Sequence, residues 1–425
     1  MNAYAVAPNW GSEQGMGWNW ISNLSEYCEL YVITEGEWRE EIEEALMTHP
    51  HRDRIHFNYL PVPDRIRRMC WNQGDYRFYL YYKAWQRRAY RKARELMSEV
   101  HIDIVHQLNM VGFREPGFLW KIKTVPYIWG PIAGMELMPV NFLKGQQLSK
   151  IMKVVLKNSV NRLQRRFHPR FRMALKRADA VVVATKGCYE YLKASRPDVI
   201  LINETACFIN DVASSAVFDR SKFNVLWVGR FEFSKQLELA LRTFARLRDY
   251  PEIILHVVGT GTPAQVNRYR EIVRQYGLES SVVFHGKIPN DNVHAMMREA
   301  DLFFFTSIME ATSTVVPEAI SAGLPVLCFD RCGFGPLVDE TIGIKHPCTT
   351  SENAVNDFAG SIVALYKDRE HLAAMSRACL ERRYGISWES SARKMVEIYQ
   401  QSFLKKGKTH LCCHIQSGRS LSSMP

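Results

Sequence analysis

Short, almost wholly apolar segments recur along this chain without polar alternation, and helical patterns fill the stretches between them. In the first half they are AYAVA (3–7), LYVIT (30–34), IHFNYL (55–60), DIVHQL (103–108), VPYIWG (125–130) and DAVVVAT (179–185). In the second half they are NVLWVG (224–229), IILHVVG (253–259), SVVFHG (281–286), DLFFFTS (301–307) and PVLCFD (325–330). A strand that is apolar on both faces has no solvent side, which is the condition of a parallel sheet covered by helices above and below. Strand and helix alternating in this way, twice over, predict an α/β protein of two doubly wound, Rossmann-like domains. The 425 residues are also too many for one ordinary core. Periodicity lapses over 207–223, so the first domain is expected at 1–215 and the second at 216–385.

The charge is uneven. The chain carries a formal +11, and the segment from Lys144 to Ala178 holds eleven basic residues and no acid. Within this basic helical insert (141–178), Leu148, Ile151, Met152, Val155, Leu156, Val160 and Leu163 recur at helical spacing with cations between them. That is an amphipathic basic helix, broken near Pro169, and it suits an anionic membrane surface. Aromatic residues are not interleaved with the charges as a stacking nucleic-acid surface needs, so no nucleic-acid partner is expected. A second long helix, 76–97, reads as a core-facing aromatic stripe with arginines reaching outward.

A hydrophobic fraction of 47% and a charged fraction of 23% are those of a soluble globular protein. No run of eighteen apolar residues offers a membrane span, and the first residues lack the basic-then-apolar pattern of a signal peptide. The first strand begins almost at Met1, which reads as a miscalled start or a truncation. Ten scattered cysteines without a Cys-x-x-Cys pair read as free thiols in a reducing cytosol. The tail 405–425 lacks periodicity and is expected to be disordered.

The chemistry gathers around EATSTVVPEAISAGLPV (310–326). Glu310 falls in a loop after the DLFFFTS strand, and Glu318 falls one turn inside the next helix. Ser313 or Thr314 is expected to cap that helix, and Pro317 is tolerated because its missing N–H has no partner in a first turn. A helix start at the carboxyl end of a sheet strand favours phosphate. Carboxylates on either side of it accept from sugar hydroxyls, so the pattern fits a nucleotide sugar. Arg230 and Lys235 follow the first strand of the second domain, where two cations suit a diphosphate. The turns at Gly259 and Gly261, and at His285, Gly286 and Lys287, end two further strands. Gly11, Gly15 and Gly17 follow the first strand of the chain and allow a close approach of backbone to ligand.

In combination these stretches resemble the retaining glycosyltransferases of family 4. The resemblance rests on GSEQGMGW (11–18), GFREPGFLW (112–120), WGPIAG (129–134), Gly229-Arg230 with Lys235, and Glu310 and Glu318 followed by AISAGLPVLCFD, and it covers about residues 1–404. It implies the GT-B fold, in which two Rossmann-like domains face each other across a cleft, the first taking the acceptor and the second the nucleotide sugar. YGISWESSARKMVEIY (384–399) looks like the closing helix of that family, here 386–404, which crosses back onto the first domain.

The resemblance also implies roles. Arg230 and Lys235 neutralise the donor diphosphate, and Glu318 holds the ribose. Glu310 contacts the donor sugar, with Ala311, Thr312 and Ser313 beside it. The turn from His285 through Gly286 and Lys287 to Ile288 cradles the base through main-chain groups. Gly11 and Ser12 close over the phosphates, and His106 approaches the reacting sugar or, on the other reading, is a satisfied core histidine. Two positions where the family often has glycine are Ala311 and Gln236 here. No Asp-x-Asp pair occurs, so no metal or other cofactor is expected, and the leaving diphosphate is expected to be stabilised by the cations alone. The reading is a cytoplasmic transferase, docked peripherally on the inner face of the membrane, building polysaccharide on a lipid-linked glycan. The alternatives are a nucleotide-sugar epimerase or hydrolase of the same fold, or a basic membrane- or nucleic-acid-binding protein. A Rossmann dehydrogenase is disfavoured, because no strand is followed by Gly-x-Gly-x-x-Gly.

Overall fold

A computed structural model of the chain describes residues 1–71, 75–209 and 221–407. The expected domain boundary at 215/216 and the tail from 408 onward lie outside the described residues. The first sheet has seven strands: β1 (Asn2–Ala3), β2 (Leu30–Thr34), β3 (Ile55–Tyr59), β4 (Val105–Asn109), β5 (Tyr127–Ile132), β6 (Ala180–Val183) and β7 (Ile200–Leu201). The second has six: β8 (Phe223–Val228), β9 (Ile253–Val258), β10 (Val282–Gly286), β11 (Leu302–Phe305), β12 (Val326–Phe329) and β13 (Gly343–His346). Their orders are β3-β2-β1-β4-β5-β6-β7 and β10-β9-β8-β11-β12-β13, and every neighbouring pair is parallel. Both sheets start in the middle, wind outward one way, then return and wind the other, as doubly wound sheets do.

β11 shows why such segments are strands. All four of its residues are buried. Phe303 and Phe305 stack on one face, with ring centroids 5.8 Å apart. Phe304 points to the other face, 5.0 Å from Phe358 of the helix Ser351–Lys367. The period of two puts a large ring into a core on either side. β1 departs from expectation. It pairs only through Asn2 and Ala3, and Tyr4–Ala7 stay buried while leaving the ladder. β7 and β13, the short strands at the sheet edges, are additional to the segments read from the sequence.

Two crossings join the domains, and they lie side by side. The Cys207 amide donates to the Ile386 carbonyl at 2.9 Å, and the Trp388 amide donates to the Cys207 carbonyl at 3.2 Å. Ser387 caps the closing helix Trp388–Leu404, accepting from the Ser390 amide at 3.1 Å. That helix packs against the helix Ser12–Leu24 of the first domain, with the Trp20 and Trp388 rings edge to face at 5.9 Å.

The aromatic helix Phe78–Glu99 buries Phe78, Tyr82, Trp85, Ala89, Ala93 and Leu96, a core-facing stripe at three- and four-residue spacing. The basic insert forms a helix at Leu148–Phe167 and a second at Pro169–Arg177, broken at His168. Its polarity is inverted relative to a surface helix. Asn158 and Asn161 are buried, donating to the carbonyls of Met138 (2.9 Å) and Glu136 (3.0 Å). Leu148, Met152, Val155, Leu156, Val160 and Leu163 are exposed. Among the described residues no helix is long and apolar enough to cross a membrane. Seven described cysteines are free, but Cys28 is disulfide-bonded, which corrects the expectation of free thiols throughout.

Candidate functional site

In the second sheet the winding reverses between β8 and β11, so the loops leaving these adjacent strands diverge and open a crevice at their carboxyl ends. The β8 loop carries Arg230 and a tight turn at Phe233–Lys235. Gln236 then adopts φ 55°, the left-handed region where glycine is at ease, and its side chain donates to the Phe233 carbonyl at 2.7 Å. The two loops are stitched together. The Thr306 hydroxyl accepts from the Trp227 indole at 2.9 Å and donates to the Lys235 carbonyl at 2.7 Å, and the Ile308 amide donates to Ser234 at 2.8 Å.

This stitching brings Lys235 against Glu310. Their ammonium and carboxylate are paired, with side chains only 16% and 11% exposed. Glu318 lies in the first turn of the helix Val315–Ser321, with Pro317 just before it. Thr314 stands at the N-cap position, but its hydroxyl makes no cap to a backbone N–H. It lies beside the Glu318 carboxyl instead and lowers that group's pKa, so the expected cap is not made. Burial raises the pKa of Glu318, while His294 and Thr314 pull it down.

The other expected residues are placed as follows. Arg230 is exposed and pairs with Glu232 at 3.2 Å, on the rim. The His285 ring meets His256 of β9 at 3.0 Å, so its side chain is engaged with the neighbouring strand. Gly286 (φ 70°) lends its carbonyl to the Gly259 amide at 2.8 Å. Lys287 is exposed, and Ile288 packs on the second core. The Ala311 carbonyl accepts from Gly333 at 3.0 Å, and Ser313 is buried. Gly11 precedes the helix Ser12–Leu24, and both Gly11 and Ser12 are exposed. Gly17 lets that helix lie tight on the chain leaving β1, since a Cβ there would stand 2.4 Å from the Ala5 carbonyl oxygen. Ser12 faces Ala311, Thr312 and Thr314 across a cavity of about 370 Å³ lined by both domains.

His106 has the surroundings of a core histidine. It sits in β4, 2% exposed, with Nδ1 bonded to the Tyr399 hydroxyl and Nε2 to the Gly130 carbonyl, both at 2.6 Å. Burial lowers its pKa to about 3, so it stays neutral and ties the closing helix to the first sheet. It lines a different hollow from the interdomain cavity. Sequence reasoning in turn missed Glu13, Tyr79, Arg114 and Glu204, which line the interdomain cavity. Glu13 accepts from the Val111 amide at 2.8 Å. Glu204 accepts from the Thr312 hydroxyl of the other domain. Among the described residues no cluster of three or more His, Cys, Asp or Glu could hold a metal ion.

Two doubly wound sheets whose carboxyl-end loops meet at one crevice, with a last helix returned to the first domain, constitute the GT-B fold. The lipopolysaccharide outer core galactosyltransferase WaaB shares it, with a TM-score of 0.60 at 15% identity over 95% of this chain and 98% of that one. So does Anabaena HepE, solved with UDP, with a TM-score of 0.59 at 15% identity over 92% of this chain and 98% of that one. Residues 211–382 match the family described as glycosyl transferases group 1. A D-inositol 3-phosphate glycosyltransferase of Corynebacterium kroppenstedtii is 26% identical over 203 residues, which are 46% of this chain and 44% of the relative. The chain spans about half the length of the curated relatives it matches.

Proposed function

We propose that the chain is a retaining glycosyltransferase of family 4 that moves a sugar from a nucleoside-diphosphate sugar to a lipid-linked glycan in polysaccharide synthesis, without a metal. One observation carries the reading: Lys235 and Glu310 meet at the β8/β11 switch point, with Glu318 on the helix that follows β11. The match of residues 211–382 to glycosyl transferases group 1 supports it.

In this reading Lys235 and Arg230 take the diphosphate, Glu318 accepts from the ribose, and Glu310 orients the donor sugar. As the glycosidic bond to the diphosphate breaks, the cations hold the growing negative charge. The departing phosphate oxygen takes the acceptor hydroxyl's proton on the same face of the sugar, so no enzyme-bound sugar forms. His106 has no part in it. The exposed aliphatic stripe between the cations of the Leu148–Phe167 helix supports docking on an anionic membrane surface, where a lipid-linked acceptor lies.

The test is calorimetric titration with UDP, GDP and ADP beside Glu318→Ala, followed by assignment of the product's anomeric configuration by NMR. One nucleotide binding clearly, and weakening in the variant, is expected. Binding by none of the three would reject the reading.

A further inference from the structure

Glu204 lies three residues before the crossing at Cys207 and is only 6% exposed. One carboxyl oxygen, Oε1, is engaged by the Thr312 hydroxyl from the opposite domain. The other, Oε2, is buried with no hydrogen-bond partner among the described residues. A buried carboxyl oxygen left unpaired is costly and rare in a folded protein, so a partner is missing from it. Glu204 lines the interdomain cavity together with Ala311 and Thr312, the loop assigned above to the donor sugar.

We infer that this cavity is the acceptor site for a pyranose ring, and that the free Oε2 of Glu204 holds an acceptor hydroxyl beside the donor sugar; this rests on the function proposed above. Three features define the class of ligand. The volume, about 370 Å³, is at the small end of ligand sites and suits one or two sugar rings. Tyr79 lines the cavity with its ring half exposed, which offers the apolar face of a sugar a surface to stack on. The other acids lining the cavity already have partners: Glu13 takes the Val111 amide, and Glu115 is paired with Arg170 at 2.6 Å.

Burial, with Glu13 and Glu136 nearby, pushes Glu204 up to about 8. At neutral pH the group therefore carries a proton and donates from Oε2 to an acceptor oxygen. It acts as a positioning residue and removes no proton. The groups facing it are Glu13 on the first helix, Glu136 after β5, Glu115 and Arg114 after β4, and Tyr79 and Tyr82 on the aromatic helix. Above its pKa the proton is lost, the donation ends, and a charge appears beside Glu13.

The experiment uses the full chain with saturating nucleotide and three probes: the methyl α-glycosides of glucose, galactose and mannose, titrated by saturation-transfer NMR. Nucleotide affinity is measured first on every variant, so loss of nucleotide binding by the unaltered chain indicts the glycosyltransferase reading and not the acceptor site. The expected result is that at least one glycoside binds and that Glu204→Ala weakens it about tenfold or more while nucleotide affinity holds within twofold. Glu204→Gln, which keeps a donor there, should bind it like the unaltered chain. Between pH 7 and 9 the unaltered chain should lose glycoside affinity while Glu204→Gln does not. If Glu204→Ala fails to fold, the pH profile of the Gln variant decides. Equal glycoside affinity in a folded Ala variant, no glycoside binding by the unaltered chain at 100 mM on the order of a weak sugar site, or identical pH profiles in the unaltered chain and the Gln variant would overturn the assignment.

Discussion

Replacing Glu310 by glutamine should tighten the binding of the free nucleotide, although Glu310 is assigned to the proposed donor site. The Lys235 ammonium is committed to the Glu310 carboxylate, and both side chains are nearly buried. A diphosphate must compete for that lysine. A charge-assisted hydrogen bond is worth about 1.5–3 kcal/mol net, and an amide acceptor keeps roughly half of it. Removing the carboxylate also removes a negative charge near the phosphates. At an effective dielectric of about 20, two like charges roughly 8 Å apart repel by about 2 kcal/mol before screening. With solvent and salt screening cutting the repulsion to a few tenths of a kcal/mol, the gain is about 1–2 kcal/mol, or roughly 5- to 30-fold in Kd. A nucleoside diphosphate has no sugar for Glu310 to hold, so nothing offsets the gain. Sugar transfer should fall in the same variant. Calorimetry on the unaltered chain, Glu310→Gln, Lys235→Met and the double variant reads this directly. Lys235→Met should bind nucleotide at least tenfold more weakly, and Glu310→Gln should gain much less in its background. Weaker or unchanged nucleotide affinity in Glu310→Gln would refute the competition.

Four further outcomes are expected. Tyr399→Phe strands the buried Nδ1 of His106 and should cost about 1–3 kcal/mol, a fall of several degrees in Tm by scanning calorimetry, with nucleotide affinity untouched. Trp388→Ala removes a buried ring packed on Trp20 and should cost about 3–5 kcal/mol in denaturant unfolding. Exchanging Leu148, Met152, Val155 and Leu156 for glutamine should change stability by less than about 0.5 kcal/mol per site, because these side chains are exposed, yet abolish sedimentation with phosphatidylglycerol vesicles. For Glu318, burial raises the folded pKa, so its ionised form is lost as pH falls through a higher value than an exposed glutamate shows. Nucleotide affinity should therefore drop on acidification by roughly 10-fold or more, and Glu318→Gln should flatten that part of the profile.

The central strands were legible because burial on both faces leaves a continuous apolar run, as in β11 and β12. β13 was not, because at the sheet edge Ile344, Lys345 and His346 need no such run. AYAVA misled for a related reason. Tyr4–Ala7 are as buried as any strand, but they pack on helices after the ladder has ended. The placement of Lys235 beside Glu310, with Glu318 on the following helix, was legible because both loops leave the carboxyl ends of neighbouring parallel strands at the switch point. His106 and Glu204 were not, because each takes its meaning from a partner far along the chain. Tyr399 is 293 residues from His106, and Thr312 is 108 residues from Glu204. No local pattern separates a histidine with both nitrogens occupied from one facing a substrate.

The two crossings at Cys207 and Ile386–Trp388 make the second domain a guest in the first. The chain leaves its host at one point and re-enters at the neighbouring point, so the termini of the guest are adjacent in space. Excising it and joining residue 207 to residue 387 through a short glycine-containing turn should leave the host's sheet and its last helix able to assemble. A different guest could be exchanged at the same pair of positions without redrawing the host.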